Sequence, residues 1–273
     1  MTWSDRFSTW LVPTGEKYKT KDNVNVTVWE LKYDLADKAA ISEWATHFRH
    51  HYCPDDEIDH LRHGTGLSRH EFLVQLIFPD GVKAPGPSIR AGDFGEILVS
   101  DFVEYILRNW VPRTRFSNRA VRNESKRGSD VVGIKQSNLK KPSKADTLTI
   151  FEVKAQLSKL GPTYALQLAI EHSAKDQMRK VETLNSIKQH FIYRNKHGEA
   201  ARVERFQNPV DNPYKETSGA AAVISTEIDD PKLVKQCDAK LHENRNNLML
   251  VILRGKTLMA LVETLYERAA HEA

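Results

Sequence analysis

From residue 86 to the C-terminus, apolar residues recur at helical and strand spacing in the order α-β-β-α-β-α-β-α, which calls for a mixed sheet flanked by helices. Asp93 is the expected N-cap of a first helix running to about Asn109, with Phe94, Ile97, Leu98, Phe102, Tyr105 and Ile106 on its apolar side and Pro112 ending it. Glu96, Ser100 and Glu104 share another face of that helix. Strands follow at 129–135 and 148–156, joined by a polar loop into a long hairpin. After Gly161-Pro162 the pattern predicts one long helix over 164–190, then strand 220–225, helix 231–243, strand 248–253 and helix 257–270. Ahead of this block, residues 24–34 and 71–78 read as strands on either side of a helix over 39–50. Pro85-Gly86-Pro87 is the expected breaker between an N-terminal α+β extension, residues 1–85, and an α/β unit, residues 86–273. The extension is expected to cover the α/β unit or to dock a partner.

At 273 residues with 40% hydrophobic and 28% charged composition, the chain has the make-up of a globular protein with a substantial core. The longest apolar runs, such as Leu248–Leu253, fall far short of a bilayer span, and the first residues lack the cationic and apolar regions of an export signal. With Cys53 and Cys237 as the only cysteines, no disulfide framework is implied, and a cytoplasmic address without membrane contact is expected. The net charge of +4 is unevenly spread: Arg108 to Lys144 holds eleven basic and two acidic residues, a local +9. Such a concentration suits a polyanion, nucleic acid above all, although basic surface loops also arise without one.

The chemistry concentrates in Thr149-Ile150-Phe151-Glu152-Val153-Lys154-Ala155. Strand alternation puts Glu152 and Lys154 on one face, about 7 Å apart, and Phe151, Val153 and Ala155 on the other. The preceding strand carries a single carboxylate, Asp130, in an apolar run, and pairing the two strands would set Asp130 beside Glu152. Two adjacent carboxylates repel unless a cation lies between them, and magnesium favours such oxygen ligands. The E-x-K string alone says little, because it recurs at Glu30/Lys32 and Glu124/Lys126, with D-x-K at Asp230/Lys232 and Asp238/Lys240. Only Glu152/Lys154 follows a hairpin partner bearing an acid, itself preceded by a helix bearing Glu96.

This ordered set, Glu96 in a helix, Gly128-Ser129-Asp130 on one strand and Glu152-Val153-Lys154 on the next, resembles the PD-(D/E)XK nucleases. The fuller texture, Ala91-Gly-Asp-Phe-Gly-Glu96-Ile-Leu, Lys126-Arg-Gly-Ser-Asp130-Val-Val-Gly and Phe151-Glu-Val-Lys154-Ala, is similar to the HamA family, the nuclease component of the bacterial anti-phage system Hachiman. The resemblance covers residues 90–155 and implies a restriction-endonuclease-like fold over 86–273. It implies Asp130 and Glu152 as ligands of Mg2+ (Mn2+ substituting), aided by the Val153 carbonyl, with Glu96 completing the site or engaging a second metal. Lys154 would orient the attacking water and stabilise charge on the phosphate. The substrate implied is DNA, cut without strong sequence specificity, and the partner a superfamily 2 helicase, HamB. No proline precedes Asp130, a departure from the nominal motif. Around Asp130 in sequence, Arg119, Arg122, Lys126 and Arg127, or the loop bearing Lys140, Lys141 and Lys144, are the expected holders of the DNA backbone.

Two further readings stay open: an inert nucleic-acid-binding or scaffold subunit whose Glu152–Lys154 pair is a surface ion pair, and a stand-alone restriction or repair nuclease. His47, His50, His51, Cys53, His60 and His63 crowd one region, and His47 and His51 share a helix face as zinc ligands can. Their spacing matches no four-ligand zinc motif, so a polar helix end is expected there. No G-x-x-x-x-G-K-[ST] loop exists, which argues against ATP hydrolysis by this chain.

Overall fold

The computed structural model describes residues 2–117, 119–139 and 141–273, with the backbone alone for 176–178. In chain order the elements are α1 (Trp3–Trp10), β1 (Leu11–Lys19), β2 (Asn25–Leu31), α2 (Lys38–His50), α3 (Ile58–Arg62), α4 (Arg69–Phe72) and α5 (Gly86–Asp101). β3 (Val131–Lys135), β4 (Thr147–Gln156), α6 (Ala165–Ser173), α7 (Asp176–Tyr193), α8 (His197–Glu204) and β5 (Lys215–Ser225) come next. α9 (Pro231–Val234), β6 (Leu248–Gly255) and α10 (Leu258–His271) complete the chain. α4 and α5 each continue into a single π-helical turn, Leu73–Ile77 and Phe102–Ile106.

The expected mixed sheet is present, six-stranded in the order β1-β2-β6-β5-β4-β3. Its four central strands run parallel, and antiparallel partners close both edges. A parallel strand buried on both faces reads as a continuous apolar run, as in Gly219-Ala-Ala-Ala-Val-Ile224 of β5. One face carries Val131, Phe151, Val153, Ala221, Val223, Val251 and Leu253 under α5, α10 and α2. The opposite face packs Ala220, Ala222, Ile224 and Leu250 on α6, and Val132, Ile134, Leu148 and Ile150 on α7 and α8.

β2 pairs in parallel with β6 from Val26 to Leu31, and Phe7, Trp44 and Phe48 share one core with α5 and α10. The expected division at residue 85 therefore cuts between segments that complete one sheet and one core. Several local expectations are also corrected. Residues 71–77 are helical, because Ser68 and Glu71 form a reciprocal capping box that starts a helix just before the apolar run. Pro85-Gly86-Pro87 opens α5 instead of separating domains, since proline is tolerated where a first-turn N–H has no partner. Asp93 is thus buried inside α5 and is no cap. The long helix over 164–190 is broken at Ala174-Lys175, and the helix over 231–243 ends at Val234. α1, β1 and α8 carry no strong periodic signature and were not anticipated.

Gly219 shows how tightly β5 meets β4. A Cβ built there would lie 2.4 Å from Cδ1 of Phe151, whose ring is fully buried. Gly219→Ala is accordingly expected to destabilise the fold by about 1–3 kcal/mol, the usual cost of overpacking a core. Urea unfolding monitored by circular dichroism reads this directly; an unchanged midpoint would show that the Phe151 ring relaxes freely.

Candidate active site

The site begins with the register of the β3–β4 hairpin. Val131 pairs with Phe151, so Asp130, one residue before β3, falls opposite Glu152. Gly128 brings the chain there with φ +107°, a conformation closed to residues with a Cβ, and the Ser129 N–H donates to Thr183 Oγ1 on α7 at 3.1 Å. Asp130 then takes the place of the next ladder residue: its Oδ2 accepts the Val153 N–H at 2.9 Å. The N–H and C=O of a strand residue point the same way, so the Val153 carbonyl faces this same edge, beyond the end of β3.

Glu96 reaches the edge from α5. Arg115, in the strap between α5 and β3, joins the two acids. Its Nε donates to Glu96 Oε2, and its Nη2 donates to Asp130 Oδ1 at 2.6 Å and to Glu96 Oε1 at 3.3 Å. Its Nη1 donates to the Ser129 carbonyl at 2.9 Å. Glu152 is 3% exposed and must be paired to remain charged. Lys154 Nζ donates to its Oε1 at 2.5 Å, with His172 Nδ1 at 3.4 Å and Arg179 Nη1 3.5 Å from Oε2. Glu96, Arg115, Lys126, Arg127, Asp130, Val153, Lys154 and Arg179 line one cleft of about 650 Å3.

Burial pushes the Glu96 carboxyl upward against the pull of Arg115, with Asp130 and Asp93 adding to the rise. Asp130 is raised by burial as well, opposed by Arg115 and reinforced by the Glu152 charge. Arg115 is held above its ordinary value despite burial, because Glu96 and Asp130 face it. Three desolvated carboxylates thus cluster at this edge, each held by a neighbouring cation, and their donors are hard oxygens. That is the donor set a small divalent cation requires.

The four acidic and basic residues expected to act together are thus brought together. Of the expected DNA-holding residues, only Lys126 and Arg127 join them among the described residues. Lys126 and Arg127 line the cleft, and Lys126 Nζ leans to the Thr114 carbonyl at 3.4 Å. Arg119 is committed to Asp93 at 2.8 Å and lies over Phe116. Arg122 is spent on the carbonyls of Val74 and Phe78 and on Asp80. Lys141 and Lys144 are exposed in the hairpin loop, but β3 separates that loop from Asp130 by five residues, about 17 Å at strand rise. Lys140 lies outside the described residues. Arg115, Arg179 and His172 were not singled out from sequence, since no spacing ties a strap or a following helix to the E-x-K strand.

A second buried polar cluster lies behind α5. His47, His51 and Asp101 each bring a ligand atom to within 4.8 Å of the others. Arg113 already fills this group: it donates to His51 Nε2 at 2.5 Å, to Asp101 Oδ1 at 2.7 Å and to Glu104 Oε2 at 2.7 Å. Burial, together with the Arg113 charge, holds His51 well below the ordinary imidazole value. Cys53 stands apart from this group, its Sγ directed at the Pro54 carbonyl. Among the described residues no helix is long and apolar enough to cross a membrane. No curated protein matches the chain. The family model described as HamA matches residues 5–269.

Proposed function

This chain belongs to the HamA family, and from that membership and the edge cleft we propose that it is a divalent-metal-dependent DNA endonuclease. In this reading it cuts without strong sequence preference and serves as effector of the Hachiman anti-phage system under control of a partner helicase. One observation supports the reading above the others: Glu96, Asp130 and Lys154 converge on a single cleft, with Glu152 bonded to Lys154.

Asp130, Glu152 and the Val153 carbonyl would hold Mg2+ or Mn2+, with Glu96 completing the set. When bound, such an ion supplies Lewis acidity and lowers the pKa of a water. Lys154 keeps its ammonium at the cleft, 27% exposed, where it orients the attacking water and offsets charge growing on the phosphate. Arg127, Lys126 and Arg179 flank the opening and hold the phosphodiester backbone, contacts that set position without reading bases. Family membership, rather than any surface of the chain, supports the helicase partner.

Supercoiled plasmid incubated with the purified chain, alone and with its co-encoded helicase, tests the proposal. Nicked or linear product should form with Mg2+ or Mn2+ and vanish with EDTA. Intact plasmid under every one of these conditions would favour the inert binding subunit. Because phosphate contacts release counterions, affinity for duplex DNA should fall steeply with salt. Arg127→Ala should weaken binding equally on unrelated sequences and reduce the log–log salt slope by about 1, read by fluorescence anisotropy. A sequence-dependent loss would instead mark Arg127 as a base reader.

A further inference from the structure

Arg115 differs from its neighbours Arg113 and Arg119, which are also held beside buried acids. Arg119 is locked to Asp93 and covered by the Phe116 and Tyr52 rings. Arg113 is held by Asp101, Glu104 and His51 and borders one cavity, of about 180 Å3. Arg115 instead borders two open spaces, that cavity and the 650 Å3 cleft. Both are lined by Arg115, Lys126, Arg127, Gly128, Asp130 and Glu182.

Its hydrogen bonds also fall on the oxygens a metal would need. Of the two Asp130 oxygens, Oδ2 is engaged by the Val153 N–H and Oδ1 by Arg115. Both Glu96 oxygens face the same guanidinium. A guanidinium and a divalent ion cannot share these atoms at contact distance without strong like-charge repulsion.

We propose that Arg115 is a resident counter-cation of the cleft, which neutralises Glu96 and Asp130 while no divalent ion is bound and must yield those oxygens when one enters. The inference rests on reading the cleft as a metal-dependent nuclease site. Glu182, exposed on α7 and bordering both spaces, gives the displaced guanidinium another carboxylate to turn to. Arg115 is in this sense a positioning residue: it keeps two catalytic carboxylates together and sets the metal concentration at which they are released.

Calorimetric titration of Mn2+ into the full chain tests this. Arg115→Met should bind Mn2+ at least tenfold more tightly than wild type, and its melting temperature should fall without metal and recover more on adding Mn2+. Affinity equal to or weaker than wild type overturns the inference. The wild-type chain supplies a second arm that needs no folded variant. In 15N NMR the Arg115 Nε–H resonance, identified by its loss in Arg115→Lys, should shift on saturation with Mg2+; a resonance that stays fixed also overturns it. If wild type cuts plasmid with Mg2+ but either arm fails, only the role of Arg115 falls. If wild type neither binds these ions nor cuts, the nuclease reading falls with it.

Discussion

Replacing Lys154 by alanine is expected to slow plasmid cleavage about 10²–10³-fold, the usual loss when one charge-stabilising donor is removed from a transition state. The fold should survive the change with a modest loss of stability. Lys154 sits at the cleft rim, and Glu152 retains His172 and Arg179 as partners once the ammonium is gone. Melting temperature therefore separates a chemical defect from a structural one. Glu152→Gln is a sterner test, since it keeps the shape of the side chain and removes the charge that pairs with Lys154 and would bind metal. Its cleavage should fall at least as far. If both variants cut at the wild-type rate, the cleft is not the reaction centre.

Asp101→Asn is expected to cost about 3–5 kcal/mol of folding stability, the range for breaking a buried ion pair and leaving its partner charged. Asp101 is fully buried and receives Arg113 at 2.7 Å, His47 at 2.9 Å and the Trp3 indole N–H at 3.3 Å. Glu104 remains to Arg113, which favours the lower end of the range. His47 and Arg113 depress the Asp101 pKa despite its burial. A depressed carboxyl stabilises the fold above its ordinary value of 3.8, and that contribution disappears as pH falls below 3.8 toward the folded value. The gap between wild type and Asp101→Asn in denaturant unfolding should thus be full at neutral pH and shrink in acid. A gap independent of pH would mean the lost shape of the cluster, not its charge, carries the cost.

The sheet and the E-x-K strand were legible because both rest on short-range rules. Alternation alone placed Glu152 and Lys154 on one face, and an isolated acid in an apolar strand singled out Asp130. Glu96 was found through its position in a helix, although that helix begins seven residues before the expected Asp93 cap. What stayed hidden depended on long-range placement. Arg115 and Arg119 sit four apart in the same basic stretch, yet one enters the cleft and the other locks Asp93 inside α5. Lys141 and Lys144 are near Asp130 in sequence but lie at the far end of the hairpin, because the strands run antiparallel. The capping box at Ser68 was present in the sequence and was outweighed by the apolar run that follows it.

The side-chain bond from Asp130 to the Val153 N–H ties catalytic alignment to strand assembly. Sliding β3 by one residue would invert its faces, bury polar groups and swing Asp130 away from its neighbours. A copy with β3 out of register would lack the aligned pair of acids on which the proposed activity depends. Under the proposed function, correct hairpin register is itself the condition for activity.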